Sequence, residues 1–287
     1  MKTFCTLSDK NYLPLGKALV QSLSKHTKSD WRMYYLCLDE ETFKEVSNLD
    51  KVVAIPLRKV EESNKDLVRY KETAAYNEYC WSLASAFCKY ILSFESVDHV
   101  MYIDSDIFFY KDPQIIFDEQ GSKSIGIIRH RHNTSSSPDG EYNVGVVFFR
   151  NDPPGRACVA WWNNAIVNRT NPELATCGDQ KYLEKFYEMF PSSTKILDET
   201  FAHTAPWNFR LYIYDNYFSK GTLIWGDKEQ PLVFNHFSRI KITEQGIDPT
   251  GGHYADHTLG FQVFNIPAVR HMYLEYAREI GKEEVSS

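Results

Sequence analysis

The chain has no apolar run of the ~18 residues that a membrane-spanning helix needs. Its first stretch, Met1-Lys2-Thr3-Phe4-Cys5-Thr6-Leu7-Ser8-Asp9, holds too few apolar residues for a secretory leader. Together these absences predict a cytoplasmic protein. A lysine- and arginine-rich block is also missing. The formal charge of -6 is spread over both halves, which argues against nucleic acid as a partner. Cysteines are few: the six, at positions 5, 37, 80, 88, 158 and 177, form no C-x-x-C pair and no dense framework. Several lie in apolar runs and are expected to be reduced core residues. In that compartment the sequons at Asn133 and Asn168 carry no weight. Two phosphate-binding fingerprints are absent as well, since there is no G-x-x-x-x-G-K-[ST] and no G-x-G-x-x-G after a strand.

What is there suits a globular α/β domain. With 43% hydrophobic and 15% aromatic residues, 287 residues can fill a sizeable core. Short apolar strands alternate with helical stretches, the pattern of a largely parallel sheet. Phe4 to Leu7 reads as a first strand, and Pro14 to His26 as the helix after it, with apolar residues at 15, 18, 19 and 23. Further strands are expected at Met33 to Leu38, Val52 to Leu57, Val100 to Ile103, Ile125 to Ile128, Val144 to Phe149 and Pro231 to Phe234. Helices are expected at Glu40 to Asn48, Tyr79 to Ser93, Pro172 to Phe190 and Ala268 to Ile280. The last is imperfectly amphipathic and has no basic face, which favours packing on the domain over lying on a membrane. The Ser/Asn/Pro/Gly-rich stretch from Asn133 to Gly140 is a candidate lid over a site. No internal repeat or linker stands out. Residues 1–240 are therefore expected to form one domain, with 241–287 as an extension packed on it.

The most informative segment is Tyr102-Ile103-Asp104-Ser105-Asp106. Two carboxylates one residue apart follow an apolar strand, and in an extended segment both project to the same side. Hard divalent cations such as Mg2+ and Mn2+ take oxygen ligands and keep positions open for waters or phosphates. With no P-loop present, such a clamp would have to hold a diphosphate. The Thr6-to-Lys10 turn also lacks the Gly- and Arg-rich loop of a sugar nucleotidylyltransferase.

Five blocks in order carry a family resemblance. They are Thr6-Leu7-Ser8-Asp9-Lys10-Asn11-Tyr12-Leu13-Pro14, Met101 to Phe108 around the D-x-D, Tyr142-Asn143-Val144-Gly145-Val146 and on to Asp152, Gly178-Asp179-Gln180-Lys181-Tyr182-Leu183, and Phe234-Asn235-His236-Phe237. Over about residues 3 to 240 the chain resembles GT-A-fold nucleotide-sugar glycosyltransferases, close to the retaining glycosyltransferase family 8 and to bacterial nucleotide-diphospho-sugar transferases. His130-Arg131, Trp161-Trp162 and Ala205-Pro206-Trp207-Asn208 match the bacterial subgroup further. The implied fold is α/β, a Rossmann-like nucleotide-diphospho-sugar transferase fold with a mixed, mostly parallel central sheet.

The resemblance also implies roles. Asp104, Asp106 and His236 match the ligands of the Mn2+ or Mg2+ ion that bridges the donor diphosphate. His236 read alone is more often a hydrogen-bonded structural residue, and its place in the block order reverses that reading. Asp179 and Gln180 match the catalytic D-Q pair, with Asp179 holding sugar hydroxyls and Gln180 orienting donor and acceptor oxygens; an acidic residue at a helix start is the plainer reading of Asp179. Asn143 and Gly145 match the segment under the donor sugar, or else form a strand-start turn. Thr6, Ser8, Asp9 and Ser105 would meet the nucleotide at the sheet edge. Tyr12 stacks on the base or starts the helix core. Trp207 faces a sugar or fills the core. Arg131, with His130, is assigned to the donor pocket. His130 and His132 form an H-x-H without further zinc ligands. The family's basic residue before the D-x-D has no clean match: Lys89 is nearest and Arg69 more distant, with Arg239 and Lys241 as substitutes after His236. The family's Gly and Lys-Pro-Trp run after that histidine is replaced by Phe237-Ser238-Arg239-Ile240-Lys241.

The sequence thus predicts a metal-dependent transferase that moves a sugar from a nucleoside-diphosphate donor, by resemblance a UDP-sugar, to a saccharide or glycolipid acceptor with retention. Its place is the cytoplasm, including the inner face of the membrane by peripheral contact. Two alternatives stay open: a nucleotidyl or phosphosugar transferase of the same fold, and a binding module that has lost turnover.

Overall fold

A computed structural model describes residues 1–131, 140–249 and 265–285. The expected lid, Asn133 to Gly140, falls outside the described residues except for Gly140.

The chain opens with β1 (Lys2–Ser8), α1 (Leu13–His26), β2 (Trp31–Cys37), α2 (Glu40–Val46) and β3 (Val52–Pro56). Pro14 sits in the first turn of α1, where its missing N–H costs nothing, and the Asp39 carboxylate caps α2 by accepting from Thr42 N–H at 2.8 Å. Next come α3 (Leu57–Ser63), α4 (Lys65–Thr73), α5 (Tyr76–Ile91), β4 (His99–Ile103) and β5 (Ile107–Phe109). The chain continues through α6 (Gln114–Gln120), β6 (Ile125–Arg129), β7 (Tyr142–Arg150) and α7 (Pro153–Val167) to α8 (Glu184–Met189) and β8 (Thr194–Ile196). The central sheet has seven strands in the order β3-β2-β1-β4-β7-β6-β8. It is mixed: β7 runs antiparallel to both β4 and β6, and the other four neighbouring pairs are parallel.

From β1 the chain steps outward to β2 and β3, whereas β4 lies on the other side of β1. The sheet order therefore reverses between β1 and β4, and loops leaving these two strands diverge to open a crevice. This is where the site lies. A second sheet stands beside it, built from β9 (Ala202–Thr204), β10 (Thr222–Trp225), β11 (Lys228–His236) and β5, with the short α9 (Tyr217–Lys220) before β10. A small third sheet joins β12 (Lys241–Ile242), β13 (Gly246–Asp248) and β14 (Glu284–Val285). Between them α10 (Pro267–Glu279) buries Val269, Met272, Tyr273 and Tyr276 in one apolar cluster with Phe108, Phe209 and Phe237.

Three expectations change. The D-x-D is not extended: Asp104 to Ile107 form a tight turn between β4 and β5, closed by Ile107 N–H donating to the Asp104 carbonyl at 3.1 Å. The helix expected from Pro172 to Phe190 is broken into two short 3-10 turns, Pro172–Cys177 and Lys181–Leu183, and then α8. Gly178 causes the break. It sits at φ +66°, and a Cβ there would come within 2.7 Å of the Trp81 ring, so only glycine lets the chain turn against that indole. Leu57, expected to end the third strand, instead starts α3, and 58–73, for which nothing was expected, forms the rest of α3 and α4; Asn64 caps α4 by accepting from Leu67 N–H at 3.2 Å.

Candidate active site

The crevice encloses about 670 Å3 and is lined from β1 by Ser8 and Asp9, from the β4–β5 turn by Asp104, Ser105 and Asp106, and from β7 by Asn143 and Val144. Asp179, Gln180, Trp207, His236 and Arg239 complete the far wall.

β11 pairs antiparallel with β5, setting His236 opposite Ile107, and Phe237 N–H donates to the Asp106 carbonyl at 2.9 Å. That register brings His236 Nε2 to 3.1 Å from Asp106 Oδ1 and 3.7 Å from Asp104 Oδ2. One ligand atom from each of the three residues lies within 4.8 Å of the others. The backbone beneath is tied to β7, since Asp104 N–H donates to the Gly145 carbonyl at 2.9 Å. The β6–β7 pairing shifts register there, leaving Val144, Gly145 and Val146 without partners on β6, and Val144 lines the crevice. Gly145 has to be small: a Cβ would lie 2.6 Å from Asn143 Oδ1 and 2.8 Å from His236 Nδ1.

Electrostatics set this cluster apart. About a quarter of the Asp104 side-chain surface faces the crevice, but surrounding protein strips most of its solvation and pushes its carboxyl up to about 6, against attraction from His236; repulsion from Asp106 adds to the rise. Burial opposes the charged form of His236, yet Asp106 and Asp104 outweigh it and raise that imidazole above its usual value. Burial, then repulsion from Asp104, raises Asp179 well above the carboxylate range. Among the described lining residues, Asp9, Asp104, Asp106 and Asp179 share the crevice with two histidines and one arginine, Arg239, and with no lysine. The sequences 132–139 and 250–264 add neither lysine nor arginine. A diphosphate entering so acidic a crevice needs a cation. Two carboxylate oxygens and an imidazole nitrogen within 4.8 Å of one another are a donor set that suits a divalent metal ion.

Ser8 Oγ is paired with the Tyr35 hydroxyl at 2.6 Å at the crevice wall. Asp9 accepts from the N–H groups of Asn11 and Tyr12 at 3.0 and 3.1 Å, which shapes the turn into α1, and it still lines the crevice. Tyr12 is 43% exposed there, so it is not a core residue. Trp207 also lines it; its Nε1 donates to the His130 carbonyl at 2.8 Å.

Four sequence assignments do not line the crevice: Gly145 is buried against Asn143 and His236, and Thr6, Lys89 and Arg131 lie elsewhere. Thr6 is fully buried within β1. Lys89 is exposed in the last turns of α5, whereas that helix reaches the site with Tyr76, Asn77, Cys80 and Trp81 in its first turns. A role for Lys89 beside a diphosphate is not supported by this position. Arg131 turns inward at φ +54°: its guanidinium stacks 3.9 Å from the Trp225 ring centroid and donates to the Tyr212 hydroxyl at 2.5 Å and to the Asp198 carbonyl. It braces the wall behind the crevice. Of the alternatives, Arg69 is exposed on α4 and paired with Asp66, and Lys241 is exposed on β12, which leaves Arg239 in place.

The α5 residues were missed by sequence reasoning. The available signal was an aromatic-rich helix start, Tyr76-Asn77-Glu78-Tyr79-Cys80-Trp81, in which Tyr76 and Trp81 are 68% and 43% exposed.

Comparison with known proteins agrees with this geometry. The chain is 30% identical over 254 residues to the uncharacterized protein YfnF of Bacillus subtilis (strain 168), covering 83% of this chain and 82% of that one. YfnD of the same organism is 27% identical over 253 residues, covering 84% and 79%. Among solved structures, the galactosyltransferase LgtC in complex with donor and acceptor sugar analogs superposes with a TM-score of 0.54 at 13% identity, covering 96% of this chain and 99% of that one. Mouse xyloside xylosyltransferase 1 in its apo form gives 0.55 at 13% identity, covering 82% and 97%. These two likenesses show the GT-A fold. The family model for glycosyl transferase family 8 matches residues 4–222, and the chain belongs to that family.

Proposed function

We propose that this glycosyltransferase takes a nucleoside-diphosphate sugar, a UDP-sugar by family resemblance, and passes the sugar with retention to a saccharide or glycolipid acceptor. The observation that carries this reading is the placement of Asp104, Asp106 and His236 at the sheet switch point, with Asp179 and Gln180 across the same crevice. Asp104, Asp106 and His236 would hold the ion, and the imidazole in the set favours Mn2+ over Mg2+. When bound, a divalent ion neutralises charge growing on the departing diphosphate. The protein does the rest. Arg239 supplies the positive charge on the far side of the diphosphate, and Asp179, pushed toward its protonated form, offers sugar hydroxyls a donor as well as an acceptor. Gly145 makes room for Asn143 and His236 behind the crevice, and the exposed faces of Tyr12, Tyr76 and Trp81 offer flat apolar surfaces to base and sugar rings.

The test is a thermal-shift panel of UDP, GDP, CDP and ADP, each with Mn2+, Mg2+ or chelator. A ligand at a hundredfold its Kd adds about 2.7 kcal/mol to a protein that binds it only when folded. One nucleotide should raise the Tm of the wild type with Mn2+ and not with chelator, and neither Asp104→Asn nor Asp106→Asn should respond. No metal-dependent shift for any nucleotide would sink the reading. Release of pyrophosphate in place of nucleoside diphosphate would make the chain a nucleotidyl transferase.

A further inference from the structure

Gln180 reaches the crevice with the orientation of its amide fixed by the main chain. The Val144 N–H lies 3.3 Å from Gln180 Oε1, and a backbone N–H can donate only to the amide oxygen, so that oxygen points at β7. Asn143 Nδ2 donates to the same oxygen at 2.9 Å. Asn143 is itself fixed, because Gly145 N–H donates to its Oδ1 at 2.9 Å. Its N–H2 therefore faces Gln180 on one side and His130 Nε2, at 3.2 Å, on the other. The latter contact requires an acceptor. Neutral His130 accordingly carries its proton on Nδ1, where it donates to the Gly140 carbonyl at 3.0 Å. Two main-chain N–H groups and one carbonyl thus decide the orientations of all three side chains.

His130 is anchored in turn. It is 2% exposed, its carbonyl accepts from Trp207 Nε1 at 2.8 Å and Asn208 Nδ2 at 3.1 Å, and the Trp207 ring meets the imidazole edge-on at 5.3 Å.

We infer that His130 is a positioning residue which, through Asn143, holds the Gln180 amide with its oxygen toward β7 and its N–H2 toward the crevice, so that Gln180 serves as a hydrogen-bond donor to the glycosyl diphosphate and not as a nucleophile. An amide oxygen already accepting two hydrogen bonds has little lone-pair density left for an anomeric carbon. The N–H2 group is matched instead to oxygens on which negative charge grows as the glycosidic bond breaks. The substrate in this statement rests on the function proposed above; the hydrogen-bond chain does not.

Gln180→Glu separates the two roles of the amide. If N–H2 is the working group, the near-isosteric carboxylate can still accept from Val144 and Asn143 but loses the donor, and kcat for donor hydrolysis falls about a hundredfold, the scale of one lost transition-state donor. Retained or raised kcat overturns the inference. His130→Ala should lower kcat at least tenfold with donor KM within threefold, and His130→Gln, whose amide oxygen can accept from Asn143, should recover most of it. Equal losses in both His130 variants, or none, also overturn it. An arm free of turnover keeps the two proposals apart. In nitrogen-15 spectra the Asn143 side-chain N–H2 should be protected from solvent exchange in wild type and in Asp104→Asn, and lose protection in His130→Ala. Protection in that pattern without nucleoside-diphosphate release defeats the proposed function and upholds the hydrogen-bond chain. An unprotected Asn143 amide in wild type defeats the chain itself.

Discussion

Gly145→Ala puts one methyl group into the space between Asn143 and His236. Gly145 is not in the left-handed region, so alanine is tolerated by the backbone and the whole effect is steric. The new Cβ would stand 2.8 Å from His236 Nδ1, 3.0 Å from His236 Cε1 and 2.6 Å from Asn143 Oδ1. Reaching ordinary van der Waals contact requires the imidazole to recede by roughly 0.6 Å and the Asn143 oxygen by roughly 0.8 Å. Metal–ligand distances tolerate about 0.2 Å. His236 cannot absorb the shift by rotating freely, because it is buried against Trp207 and fixed by the β11–β5 pairing. We expect Mn2+ affinity to drop about 10–100-fold, the range seen when the support of a metal ligand is disturbed. The overpacking itself should cost about 1–3 kcal/mol of stability. Calorimetric titration of Mn2+ reads the first quantity, and thermal unfolding with chelator reads the second. Wild-type Mn2+ affinity in a folded Gly145→Ala protein would refute the argument that His236 is a ligand held in place by this contact.

Other outcomes follow from the same structure. Arg239→Ala should raise the donor KM tenfold or more, while Lys89→Ala leaves it within twofold; steady-state kinetics showing the reverse would return the diphosphate cation to α5. Burial, followed by the charge of Arg150, pushes the His99 imidazole down to about 4, so the unfolded chain takes up its proton first and stability is lost as pH falls from about 6.5 through about 4. Allowing for partial solvent contact the loss is about 2 kcal/mol, and His99→Phe should flatten this part of a Tm-versus-pH curve. In α1 a Cβ on Gly16 would fall 1.8 Å from the Tyr35 hydroxyl, so Gly16→Ala should destabilise by about 2–3 kcal/mol, with the double variant Gly16→Ala/Tyr35→Phe partly recovered in denaturant unfolding.

The sequence determined the frame. Strands β1 to β4, β6 and β7 lie where apolar runs and turn residues put them, because a strand buried on both faces writes itself into sequence as a short continuous apolar segment. That Asp104, Asp106 and His236 come together was legible through block order, as was the presence of Asp179 and Gln180 in the same crevice. Other features could not be read along the chain. Whether Arg131 faces donor or core depends on Trp225 and Tyr212, more than 80 residues away, and whether α5 meets the crevice through Lys89 or Trp81 depends on how that helix is docked. The break at Gly178 depends on the Trp81 ring beside it. The direction of the Gln180 amide depends on a register shift between β6 and β7 and on an imidazole 50 residues earlier. Local sequence fixes which groups are present and which element carries them. Only tertiary packing decides which of their atoms converge, because hydrogen-bond direction and desolvation are set by neighbours distant in the chain.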